Sequence, residues 1–284
     1  MPGVVLWGRS GYGMNIMDYF AVRIVPRLYR GKGAFHPEET GALTDTVSCV
    51  RENDVNLFFV RKGGTQIAVD AGYKNHGGFL AACEEIGVSP EKTEALFLTH
   101  ADPDHAGGLD TGQKNHFGGA RVYLGEIEEN YLKNTYYRKK VGPFGLKNSV
   151  TIRRGYRLLK DEAVVRIGGI KVHAYLVPGH TRGHLCYLID DSMLFTGDAI
   201  ALNQAGGWCF FDLFNDDSKM NIQSLKRLKR RIDLSQVKYV FTAHNGFTDD
   251  AEKAFRHIDA IPNLKDRGFV FDCTAPYDCF AKEK

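Results

Sequence analysis

The run Thr99-His100-Ala101-Asp102-Pro103-Asp104-His105 places four potential metal ligands within six residues, directly behind the apolar stretch Ala95-Leu96-Phe97-Leu98. Imidazole and carboxylate are ordinary ligands of divalent cations. A strand ending in such a turn gathers them at the rim of a sheet, where their desolvation is hard to offset without a cation. Asp, Pro and His are also common loop residues, so a polar surface turn stays open as the less favoured reading of the cluster alone. His180, Asp198 and His244 decide between the two.

Each of these three again follows an apolar run: residues 172–177 lead into Pro178-Gly179-His180, 193–195 into Thr196-Gly197-Asp198, and 237–241 into Thr242-Ala243-His244. Four strands that each deliver a His or Asp at the C-terminal end build one shared site, at the sheet edge where ligands sit in open α/β structures. Histidines scattered through a core would not keep this register. Around them, residues 55–60 and 65–69 flank Arg61-Lys62-Gly63-Gly64 as a hairpin, and 163–167 and 170–177 form a second through Gly168-Gly169. Phe79, Leu80, Cys83 and Ile86 share one helical face, with Gly87 placed to end the helix. Ile222, Leu225, Leu228 and Ile232 line another helix, whose Lys226, Arg227, Lys229, Arg230 and Arg231 form its solvated side. Thr248 or Asp249 is placed to cap a helix through Phe255. The expected fold class is α/β.

On these residues the chain resembles the metallo-β-lactamase superfamily. The signature His-x-[His/Asp/Glu]-x-Asp-His reads His100-Ala101-Asp102-Pro103-Asp104-His105 here, followed by His180, Asp198 and His244, and the likeness runs from about residue 47 to about residue 261. The resemblance implies a four-layer αββα sandwich and a centre of two divalent metal ions. His100, Asp102 and His180 would hold one, Asp104, His105 and His244 the other, with Asp198 bridging. Asp70, which ends the run 65–69, matches an Asp that lies beneath the ligands and hydrogen-bonds to one of them. His184, four residues after His180, is expected to shape its loop and not to ligate, because in an extended loop the two cannot easily face one ion. The departure is Asp102, which stands where most zinc hydrolases of the superfamily have a second His and the flavodiiron branch has a Glu. It enriches the site in oxygen, which favours iron or manganese, although zinc also accepts carboxylates.

The activity so implied is hydrolysis of an ester-like bond (thioester, lactone or phosphoester) in a small molecule by a hydroxide bridging the two cations. Asp104 would orient the hydroxide and move the proton. The loop from Val177 to Tyr187 is similar to that of glyoxalase II-type thioester hydrolases, whose longer C-terminal substrate domain has no recognisable counterpart here. The 45 residues between Asp198 and His244 leave no room for the inserted domain of the nucleic-acid-cutting branch. The alternative class is a di-iron oxidoreductase of the flavodiiron-like or thiol-oxidising type, lacking its own flavin domain. Two segments are placed to line a substrate pocket: residues 72–76, with Tyr73 and His76, and residues 206–211, with Trp208 and Phe210. The second would suit either clamping an apolar acyl or aryl group or packing beneath the sheet. The stretch 133–157 carries Arg138, Lys139, Lys140, Lys147, Arg153, Arg154 and Arg157 among Tyr136, Tyr137 and Tyr156; it reads as a solvated insert in preference to an anion site.

The 284 residues, 43% hydrophobic, can bury a large core. The expected layout is an N-terminal extension over 1–45, packed on the core or a partner, a metallo-β-lactamase domain over 46–262, and a tail over 263–284. A formal charge of +3 is too small to argue for nucleic acid. With no long apolar run and no signal-peptide pattern, a cytoplasmic protein without membrane insertion is expected; its partner is a small-molecule substrate, and a homo-oligomer is left open. In the extension, Ile16, Phe20 and Ile24 recur at helical spacing before Pro26, and Gly8 to Gly13 lacks the preceding strand and following Gly-Lys-Ser/Thr of a phosphate loop. Six cysteines without CxxC spacing argue against a disulfide framework; Cys273 and Cys279 are near enough to close a tail loop, but free thiols fit better.

Overall fold

The computed structural model describes residues 35–74, 77–112, 114–141 and 144–260. The expectations for residues 1–34, His76, Cys273 and Cys279 lie outside them.

Seven strands form the first sheet, in the order β1 (Gly41–Ala42), β2 (Val47–Glu52), β3 (Val55–Lys62), β4 (Thr65–Val69), β5 (Ala95–Phe97), β6 (Arg121–Gly125) and β9 (Tyr156–Leu159). The hairpin β7 (Arg138–Val141) and β8 (Phe144–Leu146) lies between β6 and β9 in the chain. The second sheet is ordered β10 (Val164–Ile167), β11 (Ile170–Leu176), β12 (Leu185–Ile189), β13 (Met193–Phe195), β16 (Tyr239–Phe241) and β17 (Phe247–Thr248). A further hairpin, β14 (Ile200–Asn203) and β15 (Gly206–Cys209), follows β13.

Strand β3 shows why the sheets stack. Its apolar residues alternate across the pleat: Phe58 and Val60 turn toward the second sheet, Leu57 and Phe59 away from it. Burial on both faces explains a strand that is apolar nearly throughout. Between the sheets, Phe58, Ile67, Val69 and Phe97 meet Leu185, Tyr187, Phe195 and Phe241; Phe58 packs edge-on against Phe195 with centroids 5.3 Å apart. The outer face of the first sheet is covered by α1 (Phe79–Glu85) through Phe79 and Cys83. That of the second is covered by α4 (Ser218–Arg231) through Leu225 and Leu228 and by α5 (Ala251–Ala254) through Ala254. The short helices α2 (Pro103–Ala106) and α3 (Glu129–Leu132) belong to connecting loops. The layers therefore run α, β, β, α.

Both expected hairpins form. Gly63 and Gly64 take φ of 57° and 84°, the left-handed pair that a two-residue turn requires, so β3 runs on to Lys62, opposite Thr65. Helix α1 ends as expected at Gly87, φ 63°, where the Gly87 and Val88 N–H groups close back on the Glu84 and Cys83 carbonyls. Its buried face differs from the expected one, because Leu80 is 46% exposed and Ala82 packs inward in its place. A seven-residue helix presents one narrow stripe, and the 79–83 row takes it. In α4, Ile222 is only half-buried, and Asn221 and Ser224 turn inward beside Leu225 and Leu228. Lys226, Arg227 and Arg230 are exposed, as expected of the solvated side. The cap of α5 is Asp250, whose carboxylate accepts from Lys253 N at 2.8 Å, and not Thr248 or Asp249; Thr248 is held in β17. Cys49, Cys83, Cys186 and Cys209 are buried free thiols. Among the described residues no helix is long and apolar enough to cross a membrane.

Candidate metal centre

The parallel pairs β4–β5 and β13–β16 end at the same rim of the sandwich, and β11 shares the direction of β13 through the antiparallel β12 between them. Asp70 therefore leaves β4, the 99–105 turn β5, His180 β11, Asp198 β13 and His244 β16. The site lies across the mouth between both sheets, and not at the edge of one. The sheets are tied there by Leu185 N donating to Thr99 O at 2.8 Å and Tyr187 Oη donating to Leu98 O at 2.6 Å. Gly197 sits at φ 50°, and a Cβ there would lie 2.8 Å from both His184 and Thr99, so the turn that delivers Asp198 requires glycine.

Two groups of donors converge: His100, His180 and Asp198, and Asp104, His105 and His244, each with ligand atoms within 4.8 Å of one another. Asp198 reaches both, with Oδ1 at 3.3 Å from His105 Nε2 and Oδ2 at 3.5 Å from His180 Nε2 and 3.3 Å from His244 Nε2. Asp104 Oδ2 is 3.3 Å from His244 Nε2 and 3.6 Å from His105 Nε2. Asp102 Oδ2 stands 3.2 Å from His180 Nε2 and 3.5 Å from His100 Nε2.

The rings are aimed from behind. His105 Nδ1 donates to Asp70 Oδ2 at 2.8 Å, His244 Nδ1 to the Asp54 carbonyl at 2.5 Å, and His100 Nδ1 to Thr99 Oγ1 at 3.0 Å. Fixing the proton on Nδ1 turns each Nε2 lone pair toward the centre. Thr99 in turn donates to Asp70 through both its N–H and its hydroxyl. His184 is arranged the other way: its Nε2 accepts from Asp198 N at 3.1 Å and so fixes the loop.

Charge follows the same plan. Burial pulls His105 down, yet Asp198, Asp104 and Asp70 together hold it well above its ordinary value. Burial likewise opposes ionisation of Asp198, which His244, His105 and His180 nevertheless hold well below the usual carboxylate range. Burial and the neighbouring His105 lower His100 to about 4. The cleft thus favours positive charge at its carboxylates and neutral imidazole at His100. His105 Nε2 and Asp198 Oδ1 are buried and have no hydrogen-bond partner, the condition of atoms waiting for a cation. The donor set fits divalent metal.

Of the expected pocket residues, Phe210 is buried with its ring 5.2 Å from that of His180 and 5.9 Å from that of His244, so it walls the centre. Tyr73 is buried with Val55 and Ala243, donating to Asp54 Oδ1 at 2.7 Å. Trp208 stacks on His257 at 4.3 Å, donates to Asn203 and packs against the cluster that contains Phe210. Two site residues were not expected. Glu128 is buried and accepts from Ala101 N at 3.0 Å and Thr181 Oγ1 at 2.7 Å, clamping the two loops that carry His100 and His180. Arg138, expected in a solvated insert, instead points inward, 3.3 Å from Asp102 Oδ2 and 3.4 Å from Asp216 Oδ1. Only the basic character of its segment hinted at it, and nothing in the sequence signalled Glu128. Arg138 also borders a cleft of about 430 Å³ beside the centre, lined by Tyr136, Thr181 and Arg182, in which the Arg182 guanidinium lies 4.9 Å over the Tyr136 ring.

Fold and donor set together define a class, and residues 50–244 match the model of the metallo-beta-lactamase superfamily: the chain belongs to that superfamily. It is 26% identical over 226 residues to an acyl-coenzyme A thioesterase of Gallus gallus, covering 72% of this chain and 76% of that one. To a hydroxyacylglutathione hydrolase of Salmonella gallinarum it is 29% identical over 190 residues, 67% of this chain and 56% of that one. The chain spans about half the length of some relatives it matches, 52% and 56% in two of them. A metallo-beta-lactamase family protein of Thermus thermophilus superposes with a TM-score of 0.57 at 20% identity, over 76% of this chain and 78% of that one, a likeness of fold.

Proposed function

We propose that this protein is a metal-dependent hydrolase of ester-like bonds in small molecules, with thioesters the first class to test. The observation that carries the reading is the convergence of two donor groups around His105 Nε2 and Asp198 Oδ1, which are buried without a hydrogen-bond partner. His100, Asp102 and His180 would hold one cation and Asp104, His105 and His244 the other, with Asp198 within reach of both. Cations bound there lower the pKa of a water and polarise the bond under attack. Asp104 is the candidate proton carrier: its side chain is 21% exposed against 4% for Asp198, so it meets the cleft while still held by the histidines. Asp70 and the Asp54 carbonyl keep His105 and His244 in one tautomer, and Phe210 excludes water on the far side. Tyr136 and Arg182 offer the adjoining cleft to the substrate. The thioesterase relative supports the choice of thioester. The iron-dependent oxidoreductase alternative needs Asp102 as a full oxygen ligand, and that premise weakens with Arg138 on the same oxygen.

The test combines elemental analysis of the purified protein with an acyl-coenzyme A, lactone and phosphoester panel. Metal-dependent turnover is expected, with Asp104→Asn lowering kcat by about 10²–10⁴-fold, the usual worth of a general base. Full turnover after complete metal removal, or none on the whole panel by metal-loaded protein, would reject the proposal.

A further inference from the structure

We infer that the two cation positions are unequal: the Arg138 guanidinium serves as the resident cation of the His100, Asp102 and His180 position, leaving one tight divalent site at Asp104, His105, His244 and Asp198. This rests on the metal-centre reading above and refines it.

The guanidinium is built in. Its Nη1 donates to the His180 carbonyl, and its Nη2 donates to the Phe214 carbonyl at 2.6 Å. Asp216, itself accepting from Tyr131 Oη at 2.6 Å, flanks Nη1 at 3.4 Å. So anchored, Nη2 lies 3.3 Å from Asp102 Oδ2 and 3.3 Å from His180 Nε2, two of the atoms that would bind the first metal. With one Nη2 hydrogen committed to Phe214, the other faces His180 Nε2 and Asp102 Oδ2, and the group places a fixed positive charge where a dication would sit. The other position has no such occupant. Among the described residues no guanidinium or ammonium group pairs with Asp104, His105 or His244, and His105 Nε2 and Asp198 Oδ1, 3.3 Å apart, have no hydrogen-bond partner. The Asp102–Arg138 pair also gives the departure at Asp102 a reason: a carboxylate there pairs with the guanidinium as opposite charges, whereas a neutral His would offer it a lone pair but no countercharge. A second divalent ion enters the first position only by displacing Arg138 from Asp102.

The experiment titrates full-length apoprotein with Zn²⁺ and, separately, Co²⁺. Retained metal is counted after gel filtration, and the Co²⁺ visible spectrum serves as an independent readout of ligand geometry. Wild type is expected to retain one equivalent and Arg138→Met two, the second bound at least about tenfold more tightly than in wild type, the scale of a supporting contact on a ligand. Arg138→Lys, which keeps the charge, is expected to stay at one. Two equally tight equivalents in wild type would overturn the inference whether or not a variant folds, and would leave the hydrolase reading standing. One equivalent in both wild type and Arg138→Met would also overturn it, since Arg138 would not then be what holds the second ion out. No binding to any of the three proteins would remove the metal-centre reading itself.

Discussion

Asp70 stands in left-handed backbone at φ 62°, and from there its carboxylate collects the Thr99 N–H, the Thr99 hydroxyl and the His105 Nδ1–H. One side chain thereby fixes the turn that starts the donor cluster and the tautomer of a donor. Asp70→Asn replaces an acceptor oxygen by an NH₂ group, leaving either His105 or Thr99 facing a donor. The expected result is a loss of metal affinity of about 10–100-fold, the usual cost of removing a hydrogen-bond partner of a ligand. Competition against a chelating indicator measures it, and an affinity within twofold of wild type would show that Asp70 does not act through His105. The donors themselves were readable from sequence because each follows an apolar run, and a side chain just past a buried strand end has few directions to take. Arg138 and Glu128 were not readable. Their partners lie 42 and 53 residues away, and a lone acid or base in a connecting loop looks like any solvated charge until the loops are folded together.

At the scale of elements, Glu128 holds the His100 loop to the His180 loop just ahead of α3, and its protonation reports on that junction. Burial pushes its carboxyl from the ordinary 4.5 up to about 8, against the hydrogen bonds from Thr181 and Ala101 that pull it down. A raised value means that the folded chain holds the proton more tightly than the unfolded chain does. This contribution is therefore complete below about pH 4.5, declines as pH rises, and is lost as pH passes about 8. Unfolding free energy is expected to fall between about pH 6 and pH 8 by at most about 1.4 kcal/mol per pH unit from this group, read as a falling melting temperature. Glu128→Gln should flatten that window; an unchanged slope would assign it to another group. The sequence read elements well where backbone chemistry is local, as at the Gly63-Gly64 turn and the Gly87 stop. It read them less well where the partner decides: Leu80 lost its face to Ala82, and Asp250 took the cap expected of Thr248 or Asp249, because β17 claims Thr248.

For the whole molecule, the donors come from both sheets: His100, Asp102, Asp104 and His105 follow β5 of the first, while His180, Asp198 and His244 follow β11, β13 and β16 of the second. A metal held by this set is a staple across the sandwich, acting where the apolar core between the sheets gives way to polar side chains. Unfolding separates the donors, so binding adds to stability by mass action: about 2.7 kcal/mol at a free metal concentration a hundredfold above Kd. For a chain of this size each kcal/mol shifts the melting temperature by about 2–4 °C, so stripping the metal should lower it by about 5–10 °C. A chelator melt measures this, and re-addition of metal should restore the original value. His105→Ala should melt low from the start and respond little to chelator, since it removes a donor from the unpartnered pair with Asp198. That pattern separates a staple from general destabilisation, because a variant that merely loosened the core would still lose stability on chelation. A wild-type melting temperature indifferent to chelator, in protein shown by elemental analysis to lose its metal, would mean that the ion does not join the two sheets, even if it serves the chemistry.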